Sequence, residues 1–221
     1  MRLCFIGGGN PLAGELDDVM NYLLNHVEVG NKVLIIPFAT EDSKLDRWFN
    51  STKKSFEDIG MEHIKLLNYR LTNQEMQKEI REHDILYFTG GRPEKLMESL
   101  TEKELIQAVK EFSGLMVGVS AGALVFCKDC IITKDEDYPE TQVIKGLDLV
   151  EFSVEVHYDG SIDEELFLLS DSRDIYAIPN GSAIFWNEEV VTPIHNVFNF
   201  SKRNKKHYSQ VYKYSNISTP S

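Results

Sequence analysis

The chain has 221 residues, 42% hydrophobic and 26% charged, which is ordinary globular usage and excludes disordered and fibrous classes. Lys and Arg number 23 against 35 Asp and Glu, a formal charge of −12 that argues against nucleic acid and anionic membrane surfaces as partners. Three cysteines make no disulfide framework, no stretch reaches the ~20 apolar residues of a membrane helix, and no signal-peptide pattern opens the chain, so a cytoplasmic protein is expected.

Residues 3–6 read as a buried strand running into Gly7-Gly8-Gly9. Leu16, Val19, Met20, Leu23 and Val27 then recur at helical spacing. The apolar run 33–36 suits a strand covered on both faces. Leu45, Trp48, Phe49, Phe56 and Ile59 form a second helical stripe, with Gly60 as its C-terminal cap, and 63–67 is a third strand. Thr72 and Glu75 have capping-box spacing before a third helix. Residues 85–88 form a fourth strand leading to Thr89-Gly90-Gly91, and Pro93 fits a helix first turn. Thr101 and Glu104 repeat the capping-box spacing before Leu105, Ala108, Val109 and Phe112, and 115–119 is a fifth strand.

Strand–helix repetition of this kind predicts an α/β fold with a mostly parallel sheet and helices on both faces. Beyond about residue 130 the pattern changes to short strands at 131–132, 154–156, 175–178, 183–185 and 197–200, with one helix over 162–169. No linker, repeat or low-complexity segment interrupts the chain, so one domain over 1–221 is expected, with a frayed polar tail at 215–221.

The segment richest in chemistry is Gly118-Val119-Ser120-Ala121-Gly122, between a buried strand and a helix expected over 123–127. A serine on a tight strand-to-helix turn needs small residues two positions before and after it. The turn exposes its hydroxyl, and the helix start offers N–H groups to a developing oxyanion. The plain alternative is a glycine-rich turn. Gly90-Gly91 would close on Ser120 if the fourth and fifth strands are neighbours, since sites in parallel sheets lie beyond the strands' carboxyl ends.

A hydroxyl nucleophile needs a base. His26 and His83 sit at expected helix ends, His63 opens a strand, and His207 lies in a basic stretch expected to be a hairpin tip. His157 ends a strand, before the turn signal Asp159-Gly160, and His195 falls in an expected loop. These two are the candidates, with His157 ahead. Gly7-Gly8-Gly9 fits no nucleotide loop, because Leu12 occupies the last glycine position and no Lys-Ser/Thr follows. Cys127 and Cys130 lack the second pair a zinc site needs. Asp135-Glu136-Asp137 and Asp163-Glu164-Glu165 read as solvated faces; their other use is to attract a peptide's free amino group.

With these pieces in order, the sequence resembles the serine-peptidase family of dipeptidase E (aspartyl dipeptidase) and cyanophycinase. The resemblance is carried by Ile36-Pro37-Phe38-Ala39, Thr89-Gly90-Gly91, Gly118 to Ala123, His157 and Ile178-Pro179-Asn180-Gly181. It implies a flavodoxin-like three-layer sandwich akin to class I glutamine amidotransferases, and a peptidase of small peptides that needs no metal or cofactor. A monomer or homodimer is expected. Ser120 would be the nucleophile, His157 the general base and acid, and the N–H groups of Gly91 and Ala121 the oxyanion hole.

The family's third member is a glutamate where this chain has Asn180, so either Asn180 orients His157 or Asp135, Glu155 or Asp159 serves. The family's arginines after the histidine are missing; Gly90 and Arg92 are left as substrate-binding residues, and a weakened preference for N-terminal aspartate is expected. Two rival readings are a degenerate member acting as a binding or sensing module, and an α/β-hydrolase-type esterase using Ser120, Asp135 or Asp171, and His195.

Overall fold

A computed structural model of the chain describes residues 1–28 and 30–210, so the tail expected to fray lies outside the described residues. Five strands, β1 (Arg2–Ile6), β2 (Lys32–Ile36), β3 (His63–Leu66), β4 (Ile85–Phe88) and β5 (Leu115–Val119), pair in parallel in the order β3-β2-β4-β5-β1. Side chains alternate across this sheet with the strand period of two. Leu3, Phe5, Leu34, Ile36, Leu86 and Phe88 enter one core, while Cys4, Ile6, Val33, Ile35, Ile85 and Tyr87 enter the other.

Helices cover both faces. α1 (Asp17–Leu23) and α2 (Leu45–Asp58) bury Val19, Met20, Leu23 and Phe56 on the second core. On the first lie α3 (Asn73–Glu82), α4 (Pro93–Glu102) and α5 (Ile106–Lys110) with Met76, Ile80, Leu96, Leu100 and Val109. The local signals for the second and third helices hold. Gly60, at φ 84°, closes α2 with its N–H on the Glu57 carbonyl, and Thr72 and Glu75 exchange both capping-box bonds. The second capping box does not form. Thr101 lies inside α4 with its hydroxyl on the Met97 carbonyl, and Leu105 begins α5 without a side-chain cap. Helix propagation from Pro93 carries through Thr101 before the chain turns at Glu104, at φ 55°.

The sheet continues on the far side of β1 with a different character. After a single turn of helix, α6 (Ala121–Leu124), the chain makes a two-stranded ladder from the mostly buried β6 (Asp129–Ile132) and the largely exposed β7 (Gln142–Lys145). It then adds β8 (Ser153–Val156), helix α7 (Asp163–Leu169), β9 (Ile175–Ile178), β10 (Ala183–Trp186), β11 (Val191–Ser201) and β12 (Asn204–Gln210). β10 pairs antiparallel with β1, β11 antiparallel with β10, β9 and β12, and β8 parallel with β9. The result is a three-layer α/β sandwich whose ten-stranded sheet is parallel through one half and mixed through the other. No helix among the described residues is long and apolar enough to cross a membrane.

Two sequence expectations fail in this second half. His195 is not in a loop but within the long strand β11, at φ 62°. His207 is not at the hairpin tip, which Lys202 and Arg203 form at positive φ. It lies on β12, where its ring stacks on Phe198 and bonds Asn196. Both misreadings have one cause: strand pairing there orders polar and basic segments that carry no apolar alternation of their own.

Candidate active site

Ser120 stands between β5 and α6 at φ 51°, ψ −115°, a backbone state strained for any residue with a Cβ. The turn is held from both sides. The Ser120 N–H donates to the Ile6 carbonyl (3.0 Å), and its own carbonyl accepts from Ala123 (2.8 Å) and Leu124 (3.1 Å). Its two glycines meet backbone: a Cβ on Gly118 would lie 2.5 Å from the Gly122 carbonyl, and one on Gly122 would lie 2.3 Å from the Phe88 oxygen. The helix begins earlier than expected, directly after the serine, and ends at Leu124 because Val125 and Cys127 turn their carbonyls to Leu147 and Asp148.

His157 follows β8 and Asn180 follows β9, neighbouring parallel strands that end side by side. The His157 ring spans the gap between Asn180 and Ser120. Its Nδ1 is 2.7 Å from Asn180 Oδ1 and its Nε2 is 2.9 Å from Ser120 Oγ. An amide oxygen only accepts, so Nδ1 carries the proton and donates to it. That leaves Nε2 unprotonated and able to accept from the serine hydroxyl, the tautomer a general base requires.

The strand β1 aligns these three segments at its carboxyl end. Ile6 accepts from Ser120, Gly7 accepts from the His157 N–H (2.8 Å), and Gly8 accepts from the Gly181 N–H (2.9 Å). Gly8 is also the floor under the ring. A Cβ there would stand 2.2 Å from His157 Cε1 and 2.5 Å from Asn180 Oδ1. Gly7-Gly8-Gly9, which fits no nucleotide loop, thus has a packing role that its sequence alone left unassigned. The available signal was three glycines at the end of a buried strand, which mark close approach of other groups to the backbone.

Other site residues fall less uniformly. Gly90 packs against Ser120, as the pairing of β4 with β5 requires. Gly91 and Ala121 line a cavity of about 330 Å³ with Ser120 and His157. Among the described residues their backbone N–H groups donate to no other group.

Arg92 does not line that cavity. Its guanidinium is held by Glu94 (2.6 Å) and lies over the Tyr138 ring, so its charge is already neutralised. Burial pushes Glu94 up, but hydrogen bonds from its own backbone and from Tyr138 and Arg92 outweigh it and hold the carboxyl below its ordinary value. Tyr138, bonded to the other Glu94 oxygen, is pushed up to about 12, first by burial and then by that bond.

The three carboxylates considered as partners of His157 all line the cavity, yet none bonds the ring. Asp135 Oδ1 accepts from the Asp137 and Tyr138 N–H groups, and Asp159 accepts from the Ser161 N–H. Glu155 is buried and accepts from the Thr133 hydroxyl (2.9 Å). His195 is paired elsewhere, with Asp18 at 2.7 Å, so the chain order serine, acid, His195 has no base at the serine. No group of three His, Cys, Asp or Glu side chains suited to a metal ion occurs among the described residues, and the three cysteines are free and buried.

Comparison with known proteins agrees with this architecture. The sequence profile of Peptidase family S51 matches residues 3–194. Peptidase E of Nostoc sp. is 23% identical over 210 residues, covering 86% of this chain and 84% of that protein. An uncharacterized peptidase of Listeria monocytogenes is 26% identical over 179 residues, covering 74% of this chain and 86% of its own. The crystal structure of a peptidase from an acI-B1 actinobacterium shares the fold with a TM-score of 0.72, at 20% identity and over 94% of this chain and 93% of that one.

Proposed function

The chain belongs to peptidase family S51, and from that premise we propose that it is a serine-type peptidase that hydrolyses small peptides through an acyl-enzyme on Ser120. The observation that carries this reading is the continuous chain Ser120 Oγ, His157, Asn180, at 2.9 and 2.7 Å, opening on a cavity.

Ser120 Oγ attacks the scissile carbonyl carbon as its proton passes to His157 Nε2. The carbonyl oxygen becomes an oxyanion and takes hydrogen bonds from the free N–H groups of Gly91 and Ala121. As the C–N bond breaks, His157 gives its proton to the leaving amine, and an ester on Ser120 remains. Water then attacks that ester. His157 takes the water's proton and returns it to Oγ, releasing the acid and restoring the enzyme.

Asn180 divides the usual work of an acidic third member. Its oxygen fixes the imidazole tautomer, but it brings no charge to stabilise the imidazolium. That favours a slower enzyme than a carboxylate would give, and it is the observation behind the second reading, a binding module with residual turnover.

One experiment separates them. Wild type and Ser120→Ala are incubated with a fluorophosphonate probe and assayed on a dipeptide panel. Labelling and turnover in wild type, with both lost in Ser120→Ala, are expected. Unlabelled wild type that binds dipeptides without forming product would leave the binding module; turnover retained by Ser120→Ala would remove the serine mechanism.

A further inference from the structure

The cavity beside Ser120 holds a carboxylate that the mechanism does not use. Glu155, on β8 two residues before His157, lines it while only 5% exposed. Its Oε1 accepts from Thr133 Oγ1 at 2.9 Å. Its Oε2 has no hydrogen-bond partner among the described residues, and unlike the unpartnered Thr52 Oγ1, Arg173 Nε and Asn199 Nδ2 it is not sealed off. No cation pairs with Glu155 among the described residues.

The charged groups that act on Glu155, namely Glu165, Asp135 and Asp159, are all acids, and the further cavity residue Asp137 is another. Lys134 is the cation among the lining residues. Arg92, the base that an acidic substrate would need, is held outside by Glu94. Burial pushes the Glu155 carboxyl up to about 8; the Thr133 hydrogen bond opposes it, and Glu165, Asp135 and Asp159 each add a smaller upward push. In the empty site this hidden carboxyl, with one open oxygen and no ion-pair partner, is favoured in its protonated form, and a cationic ligand at that oxygen favours its ionisation.

We propose that Glu155 is the specificity residue of this site, pairing with a positively charged nitrogen on the substrate residue that supplies the attacked carbonyl. This rests on the serine-peptidase reading. The nitrogen is either the free α-ammonium of an exopeptidase substrate or the side chain of a lysine or arginine. In both cases substrates beginning with aspartate are disfavoured, because their carboxylate meets Asp135 and Asp159 across one small cavity and offers Glu155 no cation.

The test compares kcat/KM of wild type, Glu155→Gln and Glu155→Asp for Lys-Ala, Leu-Ala, Asp-Ala and N-acetyl-Lys-Ala. Wild type is expected to prefer Lys-Ala over Asp-Ala, and Glu155→Gln to lose about 30-fold or more on Lys-Ala, as when one partner of a buried charge pair is removed. Glu155→Asp recovers part of that loss. If the α-ammonium is bound, Leu-Ala falls by the same factor. If the side chain is bound, Leu-Ala is spared and N-acetyl-Lys-Ala falls with Lys-Ala. A preference for Asp-Ala, or Glu155→Gln within twofold of wild type on Lys-Ala and Leu-Ala, overturns the proposal.

Failure of the serine mechanism is read separately, by calorimetry of Lys-Ala binding to Ser120→Ala and to Ser120→Ala/Glu155→Gln. Binding at least tenfold tighter without the second substitution supports Glu155 even where no peptide is cleaved; equal binding, or none at millimolar peptide, overturns it. Should Glu155→Gln not fold, Ser120→Ala alone decides. On taking up Lys-Ala at pH 7 it should release protons, measured in buffers of different ionisation enthalpy; no release counts against a carboxyl that ionises on binding.

Discussion

The two halves of the sheet build the site in different ways. The parallel half, β3 to β1, contributes one side chain of the proposed site, Ser120, through a strained turn whose requirements are local. The mixed half contributes His157 and Asn180, from strands that reach each other only by pairing across the sheet. What joins the halves is the carboxyl end of β1, where Ile6, Gly7 and Gly8 each accept one backbone hydrogen bond from a site segment. The proposed nucleophile is encoded in five consecutive residues, whereas its proposed base is delivered by topology.

The largest expected effect breaks the mixed half at its functional end. His157→Ala should lower kcat/KM by about 10⁴ or more, since loss of the proposed base stops proton transfer in both steps. The same change at His195, whose ring is engaged by Asp18, should leave kcat/KM within about threefold. Equal losses at the two histidines would undo the assignment of the base.

Breaking the join comes next. Gly8→Ala forces a Cβ into the His157 ring and the Asn180 amide, and a displacement near 1 Å costs about 100-fold in rate. Comparison of Tm with kcat/KM separates this from general unfolding: the activity loss should exceed what the fraction folded explains.

Asn180 sharpens the comparison rather than breaking it. Asn180→Ala removes the acceptor that fixes the tautomer, and a loss of about tenfold or more in kcat is expected. Asn180→Asp keeps the acceptor and adds a charge that favours the imidazolium. It should raise kcat by about tenfold and move the acidic limb of the pH–rate profile to higher pH. A limb that does not move would mean that the residue at 180 does not act on the base.

The smallest effect is on stability. Glu155 keeps its proton in the folded chain up to about pH 8, against an ordinary value of 4.5 when unfolded. Between these values the native state binds the extra proton, so stability falls as pH rises through the window. Thr133, Glu165, Asp135 and Asp159 are the groups that bear on it. Relative to Glu155→Gln, which stays neutral, wild type should lose Tm progressively between pH 5 and pH 9. Parallel Tm curves for the two proteins would show that Glu155 is not held protonated.

Legibility in the sequence follows the same division. The parallel strands announce themselves because burial on both faces demands unbroken apolar runs, such as Val33 to Ile36. The strands β7 and β12 do not: their residues are largely exposed, and pairing rather than an apolar stripe orders them. Thr101 and Glu104 match a capping box in letters, yet Thr101 lies in the last turn of α4. Arg92 is legible as a cation near the serine but not as one neutralised by Glu94, a contact set by side-chain geometry.

The sequence by itself determined the alternation of apolar runs, the sharp turn around Ser120 and the acidic balance, because these depend on neighbours along the chain and on composition. Tertiary structure alone decided that Asn180 takes the His157 ring, that Gly8 lies beneath it, that His195 belongs to Asp18, and that Glu155 faces the cavity without a counter-charge. The physical reason is range. Steric rules of turns and periodic burial act over a few residues, whereas hydrogen bonds and desolvation depend on groups that only folding brings within a few ångströms.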